Sequence, residues 1–114
     1  MSSRMDRLSE QFRQEIAMII HRELKDPRLG FVTITSIVLS KDLSHAKVGF
    51  SCLGSQTDRD SSTEALQSSA GYIRELLKRR LRLKMIPQLA FHYDASIEGS
   101  IQLSDVFDRL KEKG

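Results

Sequence analysis

Residues 66–84, LQSSAGYIRELLKRRLRLK, decide the fold. The apolar side chains of this stretch recur at the three- and four-residue spacing of a helix with one buried face: Leu66, Ala70, Ile73, Leu77 and Leu81. Four small residues, 68–71, interrupt the pattern. An interior glycine weakens a helix by about 1 kcal/mol relative to alanine, and Gly/Ser clusters are frequent sites of kinks. The stretch therefore predicts two helices that meet at a bend near Gly71.

The segments before this helix pair predict a helix and a β-hairpin. The opening helix has one apolar stripe: Met5, Leu8, Phe12, Ile16, Ile19 and Ile20. It should end by Asp26, because Pro27 disfavours helical geometry in the residue before it. Residues 31–40 are rich in β-branched side chains, and residues 46–52 alternate between apolar and polar. These two strands are predicted to pair antiparallel.

The remaining segments complete a single small domain. Ser61 and Glu64 have capping-box spacing, which predicts that the helix pair starts after a polar loop at 54–60. A strand is predicted at 89–94, and a short closing helix at about 100–112. The resulting order, α-β-β-α-α-β-α, predicts an α+β fold in which helices pack on a three-stranded sheet. We expect one domain over 1–114 with its core at about 4–97.

Composition and charge narrow the class of protein. The 114 residues allow one core, which would bury roughly 65% of the unfolded surface, and 39% apolar with 29% charged residues is typical of a globular protein. A single cysteine, Cys52, excludes an internal disulfide and a cysteine-based zinc site. Neither a membrane-length apolar run nor a signal-peptide pattern is present. We expect a reduced, soluble, cytoplasmic protein without a cofactor.

The positive charge is concentrated in one helix. The net charge is only +3, but all six basic residues of 61–90 fall between Arg74 and Lys84. At 100° per residue, one face of such a helix is apolar. The opposite, outer face presents four cations: Arg74, Lys78, Arg79 and Arg82. Arg80 and Lys84 fall within the apolar arc, so either their side chains reach past it or the helix ends before Lys84. The run is either a stripe that follows nucleic-acid phosphates or an ordinary solvated helix face.

The small residues at the bend also have two interpretations. Ser69, Ala70 and Gly71 would let a nucleic-acid backbone approach closely, or they would simply allow tight packing of the helix on the sheet. Base stacking is expected to be minor, because most of the five Phe and two Tyr fall on core registers. The nucleic-acid interpretation therefore favours recognition of RNA shape and backbone over a short sequence code.

Catalytic interpretations find little support. His21, His45 and His92 lie on different predicted elements and match no metal-ligand spacing. Cys52 lies on the buried register of its strand, so an inert thiol is favoured over a nucleophile. His92 alternates away from the apolar face of the last strand and is expected to be exposed. An enzyme is not expected.

The element order resembles a type II KH domain, and five segments resemble the bacterial ribosome-binding factor A family. They are DPRLGFVTI at 26–34, SKDLSHAKV at 40–48, AGYIR at 70–74, LKMIPQLAF at 83–91 and YDASI at 93–97. The chain has no G-x-x-G loop, which KH domains use to clamp RNA. In the resembled family an A-x-G helix-kink-helix replaces that loop, and the matching triplet here is Ser69-Ala70-Gly71, with Ser in place of the first Ala.

The resemblance implies a non-catalytic assembly factor that binds the free small (30S) ribosomal subunit and its 16S rRNA. It further implies late subunit maturation, 5′-end processing of the 16S precursor, growth at low temperature, and release with the help of a ribosome-associated GTPase. No membrane partner is implied, and a monomer is expected. Many family members have a disordered C-terminal extension; this sequence ends at Gly114, so functions tied to such a tail are not expected from it.

Pattern and resemblance together predict the RNA contacts. The primary set is Ser69, Ala70, Gly71, Arg74, Lys78, Arg79, Arg82, Arg80 and Lys84. Arg4, Arg7 and Arg28 are second-line contacts, although Arg28 has Asp26 and Asp94 as alternative partners. Two other functions stay open: a general KH-like RNA-binding module, and a protein-interaction module whose basic helix docks on an acidic partner.

Overall fold

The computed structural model describes residues 4–95. Three helices and three strands follow in the predicted order: α1 (Arg4–Glu23), β1 (Phe31–Leu39), β2 (His45–Leu53), α2 (Gln56–Ser68), α3 (Ala70–Leu81) and β3 (Gln88–Tyr93). The α+β class is confirmed. The predicted closing helix at 100–112 lies outside the described residues.

The sheet has the order β1-β2-β3. β1 and β2 form the predicted antiparallel hairpin, and β3 lies parallel to β2 on its other side. A bulge between Ile34 and Ser36 leaves Thr35 as an extra residue in β1. The Thr35 hydroxyl donates a hydrogen bond to Asp94 Oδ2 at 3.1 Å, which ties β1 to the residue after β3.

The helices cover one face of this sheet, and the core lies between the two layers. Alternation along β2 points Val48 and Phe50 inward, where both are fully buried. The apolar stripe of α1 and the inner residues of α2 and α3 form the helical side of the core. These residues are Phe12, Ile16, Ile19, Leu66, Ile73 and Leu77. Cys52 is buried here, as predicted. This packing fixes α3 with its opposite face toward solvent.

The start of α2 differs from the sequence prediction. Gly54, at φ 129°, turns the chain directly into Ser55, which caps a helix that begins at Gln56. Ser55 and Asp58 form the capping box: the Asp58 amide donates to Ser55 Oγ at 3.3 Å and the Ser55 amide to Asp58 Oδ2 at 2.8 Å. The predicted loop at 54–60 and the predicted cap at Ser61 are therefore wrong.

A cluster of hydrogen bonds holds the turn between β1 and β2. Asp42 accepts hydrogen bonds from Ser40 Oγ at 2.8 Å, from Ser44 Oγ at 2.7 Å and from the Ser44 amide at 3.1 Å. These donors, led by the Ser44 hydroxyl, lower the pKa of Asp42 from 3.8 to about 2. The carboxylate thus helps to fix the register of the hairpin.

This lowered pKa predicts a loss of stability in acid. Because the Asp42 carboxyl has a lower pKa in the folded chain than the ordinary 3.8, its contribution is complete above about pH 4 and disappears as the pH falls toward about 2. The Asp42→Asn variant has no carboxylate at this position to protonate. Its unfolding free energy should therefore fall less steeply over that pH window than the unfolding free energy of the wild type. Urea titrations at stepped pH measure this difference. Equal slopes for the two proteins would contradict the assignment.

Candidate nucleic-acid interface

The predicted bend lies between α2 and α3, at Ser69. This residue alone separates the helices, with φ −92° and ψ 1°. Its amide donates to the carbonyls of Ala65 and Leu66, each at 3.1 Å, and its own carbonyl accepts from the Ile73 amide at 2.9 Å. Hydrogen bonding thus passes through the junction almost without a break, so the bend needs no loop. It falls two residues before Gly71.

The structure bears on the packing interpretation of the small residues. A Cβ atom built on Gly71 would meet no atom of any neighbouring segment within 4 Å, and Gly71 is exposed. Packing therefore does not require glycine at this position. Ala70, in contrast, is partly buried against the core. The accessible backbone of the junction is at Gly71, and tight packing is at Ala70.

The basic helix has the predicted buried apolar face and exposed basic face. It ends before Arg82, however, which is the last of the four cations in the predicted stripe. Ile73 and Leu77 are fully buried, whereas Lys78 and Arg79 are exposed. α3 ends at Leu81, and Arg82 caps it in the left-handed conformation with φ 53°. The prediction that Arg82 continues the helical stripe is wrong, because this backbone conformation turns the chain away from the helix axis. Lys84 follows outside the helix, which was one of the two alternatives for that residue.

Arg74 has a structural task in the described chain. Its Nε donates to the carbonyl of Pro87 at 3.0 Å and its Nη2 to the carbonyl of Ile86 at 2.9 Å. The side chain is half-buried and fastens α3 to the segment before β3. Hydrogen bonds from a charged donor contribute about 1.5–3 kcal/mol each. The expectation that Arg74 is simply one more exposed cation is therefore wrong.

A shallow cavity of about 180 Å³ lies where α3 meets the chain leading to β3. The residues that line it are Arg74, Glu75, Lys78, Lys84, Met85 and Ile86. Lys78, from α3, and Lys84, from the chain after it, are both exposed and both line this cavity. Glu75 supplies one opposing carboxylate. The cavity is thus a largely cationic concavity beside the exposed helix face.

Two other predicted cations are held by carboxylates. Arg80 Nη1 lies 3.3 Å from Glu15 Oε2, so Arg80 connects α3 to α1. Arg28 Nη2 lies 2.7 Å from Asp26 Oδ2 and its Nη1 lies 3.4 Å from Glu64 Oε1. Hydrogen bonds from Arg28 lower the pKa of Asp26. Of the two partners weighed for Arg28, Asp26 is the one observed, and both arginines are partly neutralised.

Arg4 and Arg7 belong to a different part of the surface. Both are exposed on the first turns of α1, where they line a separate open depression together with Leu8 and Gln11. The predicted contacts therefore divide into groups. One group lies on α3 and on the chain just after it, and none of its members makes an ion pair with a carboxylate of residues 4–95. Its members are Lys78, Arg79, Arg82 and Lys84. We call these four cations together with Gly71 the basic surface.

Two exposed side chains beside the basic surface were missed by sequence reasoning. Tyr72, directly after Gly71, is 49% exposed, and Met85 at the cavity is 78% exposed. The expectation that aromatic residues are mostly in the core is confirmed for Phe12, Phe50 and Phe91, but Tyr72 and Phe31 are exposed. Helical spacing contained the signal for Tyr72, since it lies seven residues before Arg79.

In the described chain the three histidines lie on α1, β2 and β3, and the cysteine is buried. His21, His45 and His92 are all exposed, and His92 lies on the outer side of its strand as predicted. Residues 4–95 contain no cluster of three or more potential metal ligands. Cys52 Sγ lies 3.5 Å from Ser62 Oγ in the interior. Among the described helices, none has the length and apolar character needed to cross a bilayer.

The fold and the basic surface define a class of protein. The order α-β-β-α-α-β, the parallel pairing of β3 with β2 and the kinked helix pair are those of a type II KH-like domain. A family model described as Ribosome-binding factor A matches residues 4–107. The chain belongs to this family.

Individual relatives agree with the family match. The chain is 46% identical over 110 residues to the ribosome-binding factor A of Ectopseudomonas mendocina, covering 94% of this chain and 85% of the relative. It is 45% identical over 112 residues to the factor of Thermomicrobium roseum, with 98% and 87% covered. The segments that carried the resemblance therefore identified the family correctly.

Solved structures show the same fold. The crystal structure of ribosome-binding factor A from Thermus thermophilus superimposes with a TM-score of 0.71 at 28% identity, covering 78% of this chain and 93% of that one. The solution structure of a Thermotoga maritima protein gives 0.70 at 34% identity, with 83% and 91% covered. A Thermus thermophilus homology model, fitted into a cryo-EM map of a complex with the 30S subunit, gives 0.67 at 28% identity and the same coverage as the crystal structure.

Proposed function

We propose that this chain binds the free small ribosomal subunit through the backbone of its 16S rRNA and promotes late maturation of that subunit. The observation that carries the proposal is the basic surface. It joins four exposed cations to an open backbone position, and none of the four makes an ion pair with a carboxylate of residues 4–95. Family membership, and the 30S complex of the Thermus relative, support the small subunit as the partner.

The basic surface acts by neutralising phosphates. Lys78 and Arg79 face solvent from α3, and Lys84 adds a charge from the cavity. No neighbouring segment lies within 4 Å of a Cβ atom built on Gly71, so an RNA strand can approach the backbone there. Binding by such contacts releases counterions and weakens with salt. Arg82 joins this group, whereas Arg74 holds α3 to the segment before β3 and Arg80 holds α3 to α1.

The finer parts of the proposal follow from the family. The protein is non-catalytic and cytoplasmic, acts as a monomer, supports 5′-end processing of the 16S precursor and growth at low temperature, and leaves with the help of a GTPase.

Two alternatives predict different behaviour. A general RNA-binding module would bind unrelated structured RNA as tightly as small subunits. A protein-docking module would bind small subunits without needing the basic surface.

Removal of the gene from its host tests the maturation role. We expect 16S rRNA with an unprocessed 5′ end to accumulate, and to accumulate more at low temperature, as measured by primer extension. The wild-type gene should restore processing. A gene encoding Lys78→Glu, Arg79→Glu and Lys84→Glu should not, because its product lacks the phosphate contacts. Normal 16S ends in the deletion strain at both temperatures would refute the role in maturation.

A further inference from the structure

Tyr72 presents an aromatic ring at the mouth of the helix junction. It is 49% exposed and directly follows Gly71, around which no neighbouring segment lies within 4 Å. Within the described chain its ring makes no aromatic or cation–π contact. Tyr93 differs sharply: its ring meets Phe50 edge-to-face at 5.9 Å and lies 5.0 Å from the Arg59 guanidinium. The core thus uses one tyrosine, and the other faces outward.

Helix geometry aligns Tyr72 with the cations. Seven residues separate Tyr72 from Arg79 and Gly71 from Lys78, which corresponds to about 20° of rotation and about 10 Å along the axis. The exposed face of α3 therefore carries two parallel lines, each beginning at the junction and ending at a cation two turns later. A strand that runs along this face with phosphates at Lys78 and Arg79 would pass Gly71 and Tyr72 about 10 Å further along the helix axis.

The surroundings of Tyr72 favour a nucleic-acid base over an apolar protein partner. Large exposed apolar patches mark protein–protein sites, but the exposed neighbours of Tyr72 on this face are Gly71, Glu75 and Arg79. A flat exposed ring with a cation two turns along the same face suits a base, which offers a π face beside a charged phosphate. A bound strand has both components, so charge complementarity and ring chemistry point to the same ligand.

We propose that Tyr72 stacks on an unpaired base of the bound RNA while Lys78 and Arg79 hold the adjoining phosphates. This inference rests on the proposed function, because it names how the same surface holds its RNA. It adds a contact that does not depend on charge, and it places a single-stranded nucleotide at the helix junction. The basic surface alone would be satisfied by phosphates of either paired or unpaired RNA.

The test compares the affinities of wild type, Tyr72→Phe and Tyr72→Leu for isolated small subunits at several salt concentrations. Tyr72→Phe keeps the ring and should bind within about twofold of wild type. Tyr72→Leu should bind about 5- to 150-fold more weakly, as measured for loss of one stacked base. Its salt dependence should match wild type, because no phosphate contact is lost. Phe31→Leu removes another exposed ring, on the open side of the sheet, and should leave binding unchanged.

Each outcome bears on a separate claim. Equal affinity of Tyr72→Leu and wild type would overturn the stacking proposal and leave the proposed function intact. An equal loss in Tyr72→Phe and Tyr72→Leu would also overturn it, because the hydroxyl and not the ring would then make the contact. Failure of the wild-type protein to bind small subunits would refute the proposed function itself. Matching thermal unfolding of the variants shows that the fold is retained.

Discussion

Reversing the charge of Lys78, Arg79 and Lys84 together is expected to lower affinity for the small subunit by at least about 100-fold. These exposed side chains make no ion pair with a carboxylate of residues 4–95, so the change removes phosphate contacts and little else. A plot of the logarithm of the affinity against the logarithm of the salt concentration should be less steep for the variant than for the wild type. The slopes should differ by about 2–3, because three phosphate contacts are lost. Filter binding across a salt series measures both effects.

A control variant with the same change in net charge separates local from global effects. Arg22→Glu, Lys25→Glu and Lys41→Glu alter exposed side chains outside the basic surface. This triple variant should lose only the small, long-range part of the attraction. Equal losses in the two triple variants would show that net charge alone matters, and unchanged binding of the first would remove the basic surface from the account. Arg74 is left intact because its bonds to Ile86 and Pro87 stabilise the fold.

The second large effect is on stability, at the centre of the sheet. Phe50 is fully buried on β2 and contacts Tyr93 edge-to-face. Phe50→Ala is expected to lower the unfolding free energy by about 3–5 kcal/mol, since truncation of a buried Phe leaves a cavity as well as losing apolar burial. In a domain of this size, that loss corresponds to a fall in Tm of more than about 10 °C. Thermal unfolding followed by circular dichroism measures it.

Phe31→Ala is the matched control for this stability prediction. Phe31 belongs to the neighbouring strand of the same sheet but is 81% exposed. Its truncation should change the unfolding free energy by no more than about 0.5 kcal/mol. Similar losses for the two substitutions would mean that the side of the sheet facing the helices is not the main core.

The parts of the fold that sequence could predict are those recorded in local periodicity. The stripe of α1 and the alternation of β2 each repeat the same burial every few residues, so short windows suffice to recognise them. The start of α2 shows where this fails. Its first five residues, 56–60, are all polar, so they carry no apolar period. Ser61 and Glu64 match the capping-box pattern, whereas the observed box uses Asp58 at its second position, which departs from that pattern.

The candidate site was only partly predictable for a related reason. The charges themselves are visible in sequence, but whether each is free depends on distant partners. Arg80 is paired by Glu15, which is 65 residues away, and Arg74 by carbonyls that follow the end of its helix. The left-handed cap at Arg82 depends on where the chain must turn toward β3. Such long-range contacts leave no local period, so a uniform stripe was predicted.

Sedimentation of the tagged protein from a cell lysate through a sucrose gradient, at low and moderate salt, is the most direct test of binding to the small subunit. The protein should migrate with free small subunits and not with translating ribosomes, and raising the salt should release it. The charge-reversed Lys78, Arg79 and Lys84 variant should remain at the top of the same gradient. Wild-type protein that stays at the top under both conditions, or that distributes equally among all ribosomal particles, would contradict a factor dedicated to the small subunit.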